Sequence, residues 1–184
     1  FHDTWSCREP YTTLIREAIR VRYALLPYFY TLFREASVSG TPVIRPLWME
    51  FPDEEMTFAL DKECMVGSGL LIHGVYKEVC PYFMLKKTEN FIYESFLILD
   101  HSLCTIGATA EKVYLPGVEP WYDVRSGAVY KGGDYYKIPV TMEAIPVFQR
   151  GGSIIPRKDR PRRSSTQTLL DPYTLVTKLH LIYI

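Results

Sequence analysis

With 184 residues and a mass of 21.3 kDa, the chain has room for one domain, or for one domain and part of another. Hydrophobic residues make up 47% and charged residues 23%, which excludes a disordered polymer, and a formal net charge of zero supplies no field to draw in nucleic acid or an anionic membrane. No uninterrupted apolar run is long enough to span a bilayer. The chain opens on Phe1 with polar residues behind it instead of a charged and then apolar leader, so it is expected to be a piece of something longer.

Residues 11–38, YTTLIREAIRVRYALLPYFYTLFREASV, predict one long helix: Leu14, Ala18, Leu25, Phe29, Leu32 and Ala36 recur at helical spacings, and Arg16, Arg20, Arg34 and Glu35 supply a polar side. Pro27 should kink it, because proline lacks the backbone donor and crowds the preceding turn. Gly40 and Pro42 should end it, the first as a left-handed cap. The period then changes. Val43–Met49, Cys64–Tyr76, Lys112–Leu115, Trp121–Val124, Tyr135–Val140, Ile145–Phe148 and Tyr173–Ile184 are short runs rich in Val, Ile, Tyr and Trp, punctuated by Gly and Pro. The fold expected is mainly β: an antiparallel β-sandwich preceded by one long kinked helix. Residues 79–106 break the strand rhythm with a mixed, apolar-heavy stretch and are expected to be an insert.

The cysteines, Cys7, Cys64, Cys80 and Cys104, form no C-x-x-C pair, so no metal site is expected; one disulfide is open to them, with no pairing indicated by spacing. Aromatic residues reach 14%, with 14 Tyr and 3 Trp. Such residues pack β-rich cores, and they also make sugar-stacking surfaces. A non-catalytic carbohydrate-binding module using Trp48, Trp121 and Tyr122, or a structural module without ligand, therefore stands beside any enzymatic reading.

Three ordered runs carry a resemblance. Arg8-Glu9-Pro10-Tyr11 leads into Arg22-Tyr23-Ala24-Leu25-Leu26-Pro27-Tyr28. Pro42-Val43-Ile44-Arg45-Pro46-Leu47-Trp48 is followed by Glu50-Phe51-Pro52-Asp53 and by Met65-Val66-Gly67-Ser68-Gly69-Leu70-Leu71. Val113-Tyr114-Leu115-Pro116-Gly117, Trp121-Tyr122-Asp123 and the stretch from Ile145 to Pro156 complete the set. Over roughly residues 3–78 and 108–176 the chain resembles glycoside hydrolase family 31, and Arg162-Arg163-Ser164-Ser165 with Asp171-Pro172-Tyr173-Thr174-Leu175-Val176 narrows this to the glucosidase II α-subunit branch.

The resemblance implies a retaining α-glucosidase on a (β/α)₈ barrel, trimming glucose from N-glycans in the endoplasmic-reticulum lumen beside a β-subunit, with no cofactor. Residues 1–42 would be the end of the barrel, 43–176 the β-sandwich with its insert at 79–106, and 177–184 a non-family tail. Retention needs two carboxyl groups about 5 Å apart. The family's Trp-x-Asp-Met-Asn nucleophile motif is absent, so no catalytic residue is assigned and the chain alone is expected to be inactive. Asp53, Glu54, Glu55 and Asp61 are expected in solvated loops. His2 is the one substrate-binding candidate: it falls a couple of residues beyond the family's sugar-binding His, without the Arg that precedes it there. His73 reads as structural, and the basic run Arg157–Arg163 as a solvated loop. The helix stripe of Leu14, Leu25, Leu32 and Phe33 is expected to face barrel strands that the chain does not contain.

Overall fold

The computed structural model describes residues 11–75, 110–141, 143 and 145–179. All of the 79–106 stretch, His2, His101 and His180, and three of the four cysteines thus lie outside the described residues. The expected long helix is two: α1 (Tyr11–Ala24) and α2 (Leu26–Ser39). Hydrogen bonding runs through the joint, with Leu25 N–H on the Val21 and Arg22 carbonyls at 3.1 Å and Phe29 N–H on that of Leu25 at 3.1 Å. Pro27 occupies the first turn of α2, where its missing N–H would have had no helical partner anyway. Gly40, at φ 74°, closes α2 by donating its N–H to Ala36 at 2.9 Å.

The strands are β1 (Ile44–Pro46), β2 (Glu63–Val66), β3 (Leu70–His73), β4 (Ala110–Leu115), β5 (Pro120–Asp123), β6 (Val129–Lys131), β7 (Asp134–Pro139), β8 (Val147–Arg150), β9 (Ile154–Arg157) and β10 (Thr174–Thr177). They form a six-stranded sheet in the order β1-β2-β3-β8-β5-β6 and two pairs, β4-β7 and β9-β10, all antiparallel. The domain is thus mainly antiparallel β, as expected. Two runs needed redrawing. The expected strand Val43–Met49 ends at Pro46 and turns into a short helix, α3 (Leu47–Glu50). The expected strand Cys64–Tyr76 is two strands, because Gly67 turns the chain at φ 60° and Val66 then pairs with Leu70. A Cβ at Gly67 would lie 2.5 Å from a Leu32 methyl and 2.6 Å from the Tyr28 hydroxyl, so the turn and the helix above it require glycine.

Strand alternation sorts side chains into two cores. On one face of the large sheet Met65, Leu71, Trp121 and Phe148 meet Val113, Leu115 and Ile138 of the β4-β7 pair, with Leu47 and Phe51 at the edge. On the other, Val66, Leu70 and Ile72 receive Tyr28, Phe29 and Leu32 of α2, joined by Ile155 of β9. β3 is buried at all four positions because both its faces are covered. The expectation that Leu25 and Leu32 look away toward absent strands is therefore corrected: Leu32 is buried on the sheet and Leu25 packs beside it. A helix stripe at three- and four-residue spacing meets an apolar sheet face, and burying each side chain is worth roughly 1.5–3 kcal/mol. Phe33 is left half exposed.

The Tyr28 hydroxyl donates to the Val66 carbonyl at 2.7 Å, and burial pushes its phenol up to about 12, against a smaller opposing effect of a backbone hydrogen bond to Gly69. A raised folded value means that the stabilisation is whole below the unfolded value near pH 10 and is lost as pH rises through about 12. Thermal melts should therefore fall across that alkaline window in the native chain, with a shallower fall in Tyr28→Phe. Parallel curves would show that Tyr28 does not control the alkaline limit.

Candidate functional site

Glycosidase chemistry requires paired carboxyl groups open to a sugar. Asp53, Glu55 and Asp61 are exposed in turns, as expected. Glu54 is not a solvated loop residue: it accepts the Gly117 N–H at 2.6 Å and the Tyr114 hydroxyl at 3.1 Å, and so fastens the Pro116-Gly117 turn to the segment before the 3₁₀ turn Glu55–Ala59. The arrangement nearest to an acid–base cluster is Glu63, His73 and Glu111. His73 Nδ1 lies 3.1 Å from Glu63 Oε1, which also accepts the Tyr114 N–H at 2.9 Å; His73 Nε2 lies 3.9 Å from Glu111 Oε2. All three side chains are 6% exposed or less, so no glycosidic oxygen reaches them. Their role is to join β2 and β3 of one sheet to β4 of the other. His73 is placed where a structural histidine belongs.

The aromatic trio behaves unevenly. Trp121 is fully buried and donates its indole N–H to the Pro116 carbonyl at 2.7 Å, with its ring tilted 6.4 Å from that of Phe51. Trp121 is therefore unavailable for sugar stacking. Tyr122 spends its hydroxyl on the Leu179 carbonyl at 2.8 Å, beneath the Lys178 ammonium. Trp48 alone is exposed among the three. Asp123 closes the β5-β6 turn by accepting from the N–H groups of Arg125 and Ser126, which accounts structurally for Trp121-Tyr122-Asp123.

Cys64, on β2, is free, and burial pushes its thiol up to about 11, where it is a poor nucleophile. Among the described residues no cluster of His, Cys, Asp or Glu has metal-binding geometry, and no helix is long and apolar enough to cross a membrane. The expected solvated basic loop is partly anchored: Lys158 is buried, giving its ammonium to the carbonyls of Thr168 and Leu169 at 2.6 and 2.9 Å. Arg162 forks onto Asp171 at 2.8 and 2.5 Å. Asp171 lies too far along the chain for sequence spacing to have paired them.

Part of the outward surface is apolar. Val21, Tyr23, Tyr30, Phe33 and Val38 stand exposed along α1 and α2, and Trp48, Met49, Met56 and Phe58 along α3 and the 3₁₀ turn after it.

These features define a mainly antiparallel β domain with a helix packed on one face of its large sheet. Residues 40–155 match the glycosyl hydrolase family 31 C-terminal domain, and the chain belongs to that family. It is 50% identical over 184 residues to "Probable glucan 1,3-alpha-glucosidase" of Arabidopsis thaliana, covering 97% of this chain and 17% of that protein. A glucosidase II alpha subunit crystallised with alpha3-Glc2 superposes with a TM-score of 0.77 at 31% identity, over 98% of this chain and 17% of that one. The catalytic subunit in a heterodimeric ER glucosidase II complex with the binding domain of its regulatory subunit superposes at 0.75 and 32% identity, over 94% and 16%. The chain thus spans about a sixth of the length of the relatives it matches.

Proposed function

We propose that the chain is the segment of a retaining α-glucosidase that carries the end of the catalytic (β/α)₈ barrel, residues 1–42, and the β-sandwich behind it, and that it has no turnover by itself. The observation that carries this reading is the set of exposed apolar side chains on α1 and α2, Val21, Tyr23, Tyr30, Phe33 and Val38, outside the side that holds Tyr28, Phe29 and Leu32 on the sheet. In the whole enzyme that face packs against barrel strands, and the sandwich braces the barrel. The substrate is an α-1,3-linked glucose, on an N-glycan, in the endoplasmic-reticulum lumen beside a β-subunit; the names of the relatives support this assignment. His2 contacts the sugar within it.

A chimera tests the reading. The chain replaces the corresponding segment of the Arabidopsis relative, and release of glucose from an α-1,3-linked disaccharide is followed. Activity within an order of magnitude of the parent is expected, with none from the chain alone. His2→Ala in the chimera should raise KM. In the same chimera Tyr30→Lys with Phe33→Lys should remove soluble activity, because two buried ammonium groups at an interior face are untenable. A well-expressed chimera without activity sinks the assignment. Glycan binding by the isolated chain would instead favour the carbohydrate-binding module, with Trp48 its exposed tryptophan.

A further inference from the structure

The connection from β9 to β10 concentrates chemistry that neither the helical face nor the Glu–His–Glu cluster uses. We propose that it is a proteolytic processing site: an endoprotease that reads arginines before the cut bond hydrolyses the peptide between Arg163 and Ser164, and β10 stays on the domain afterwards.

Arg160, Arg162 and Arg163 stand fourth, second and first before that bond, a pattern read by subtilisin-type processing proteases. Residues 159–164 are exposed and belong to no helix or strand, and such loop tips are where nicking concentrates. Ser164 is already extended, at φ −147° and ψ 155°, as a protease cleft requires of its substrate. Hydrolysis adds one water across the bond, leaving a carboxylate on Arg163 and an amine on Ser164, with no cofactor.

Retention of the far side is built in. Arg157, the first residue before the loop, pairs with Thr174, and the β9-β10 register continues to Ile154 opposite Thr177. Gln149 gives its side-chain N–H to the Val176 carbonyl at 3.0 Å, and the Gly152 N–H reaches that of Lys178 at 2.8 Å. Lys158 and Arg162 bond across the bond to be cut, to Thr168, Leu169 and Asp171. The Arg162–Asp171 fork also guards the loop, because it holds one of the arginines the protease must take. Cleavage waits on local opening of that contact.

The chain is incubated with a purified subtilisin-type processing protease and the products are mapped by mass spectrometry. The expected result is one dominant cut giving residues 1–163 and 164–184, which co-elute on native gel filtration and separate in denaturant. A synthetic peptide of residues 157–170, which needs no fold, is cut at the same bond, and its Arg163→Gln version is not. Asp171→Asn and Arg162→Lys both break the fork, and each should speed cleavage several-fold at an unchanged position while the thermal transition persists. First cutting at another residue, resistance of the chain under conditions that cut the peptide, equal rates in the two fork variants and the native chain, or loss of the 164–184 piece without denaturant would each overturn the proposal.

Discussion

Trp121→Ala is expected to lower the thermal midpoint by roughly 6–20 °C. Trp121 has no exposed surface and sits between the two sheets with Leu71, Val113, Leu115 and Phe148. Deleting a buried Trp side chain costs roughly 3–5 kcal/mol, and each kcal/mol moves the midpoint of a domain this size by about 2–4 °C. The Pro116 carbonyl also loses the indole N–H at a turn that must stay closed for Gly117 to meet Glu54. Trp121→Phe separates the two contributions, since it keeps most of the ring and loses the donor; it should cost about a third as much. The measurement is a pair of melts. A midpoint for the alanine variant within a few degrees of the native chain would mean that the two sheets are not held together here.

The second large effect is at Glu63. One oxygen of its carboxylate accepts the Tyr114 N–H and lies 3.1 Å from His73 Nδ1, so Glu63→Ala strips a backbone donor and an imidazole of their partner in the interior together. Breaking a buried polar network by removing one partner typically costs about 3–5 kcal/mol. Glu63→Gln keeps a carbonyl oxygen for one of the two and should cost about half of that. Glu63→Leu with His73→Leu removes both polar groups and fills the space, so the double variant should be more stable than the sum of the singles predicts. Denaturant melts of the four proteins close the cycle. Strict additivity would show that Glu63 and His73 do not act as a unit.

Much of this was legible in the sequence, for reasons that differ from element to element. The α2 cap at Gly40, the strands at 112–115 and 135–140 and the β-rich class follow from local chemistry that tertiary packing had no cause to override. α3 was misread because Leu47, Trp48 and Met49 suit a strand as well as a helix, and only the burial of Leu47 in the inter-sheet core decides between them. β6 and β9 escaped notice because Val129-Tyr130-Lys131 is short and Ile154-Ile155-Pro156-Arg157 contains a proline, tolerated since, among the described residues, β9 pairs with β10 alone. Glu54 and Lys158 looked like solvated charges; their partners, Gly117 and Tyr114, Thr168 and Leu169, become neighbours only through the fold. Leu70, Leu71 and Ile72 are apolar on both faces of β3, and nothing in that local run said that a helix would cover one of them.

The position of β8 has a kinetic meaning. It lies in the middle of the six-stranded sheet, with Leu70, Leu71 and Ile72 on one side and Trp121, Tyr122 and Asp123 on the other, yet it is made after five of those six strands. Until Arg150 leaves the ribosome, β1-β2-β3 and β5-β6 are separate ribbons, each with an unpaired inner edge. The pairings that close the gap join residues more than seventy apart on one side, so folding is dominated by long loops and should be slow. A nascent chain halted between β6 and β8 consequently exposes two inner strand edges at once, each a template for pairing with another chain.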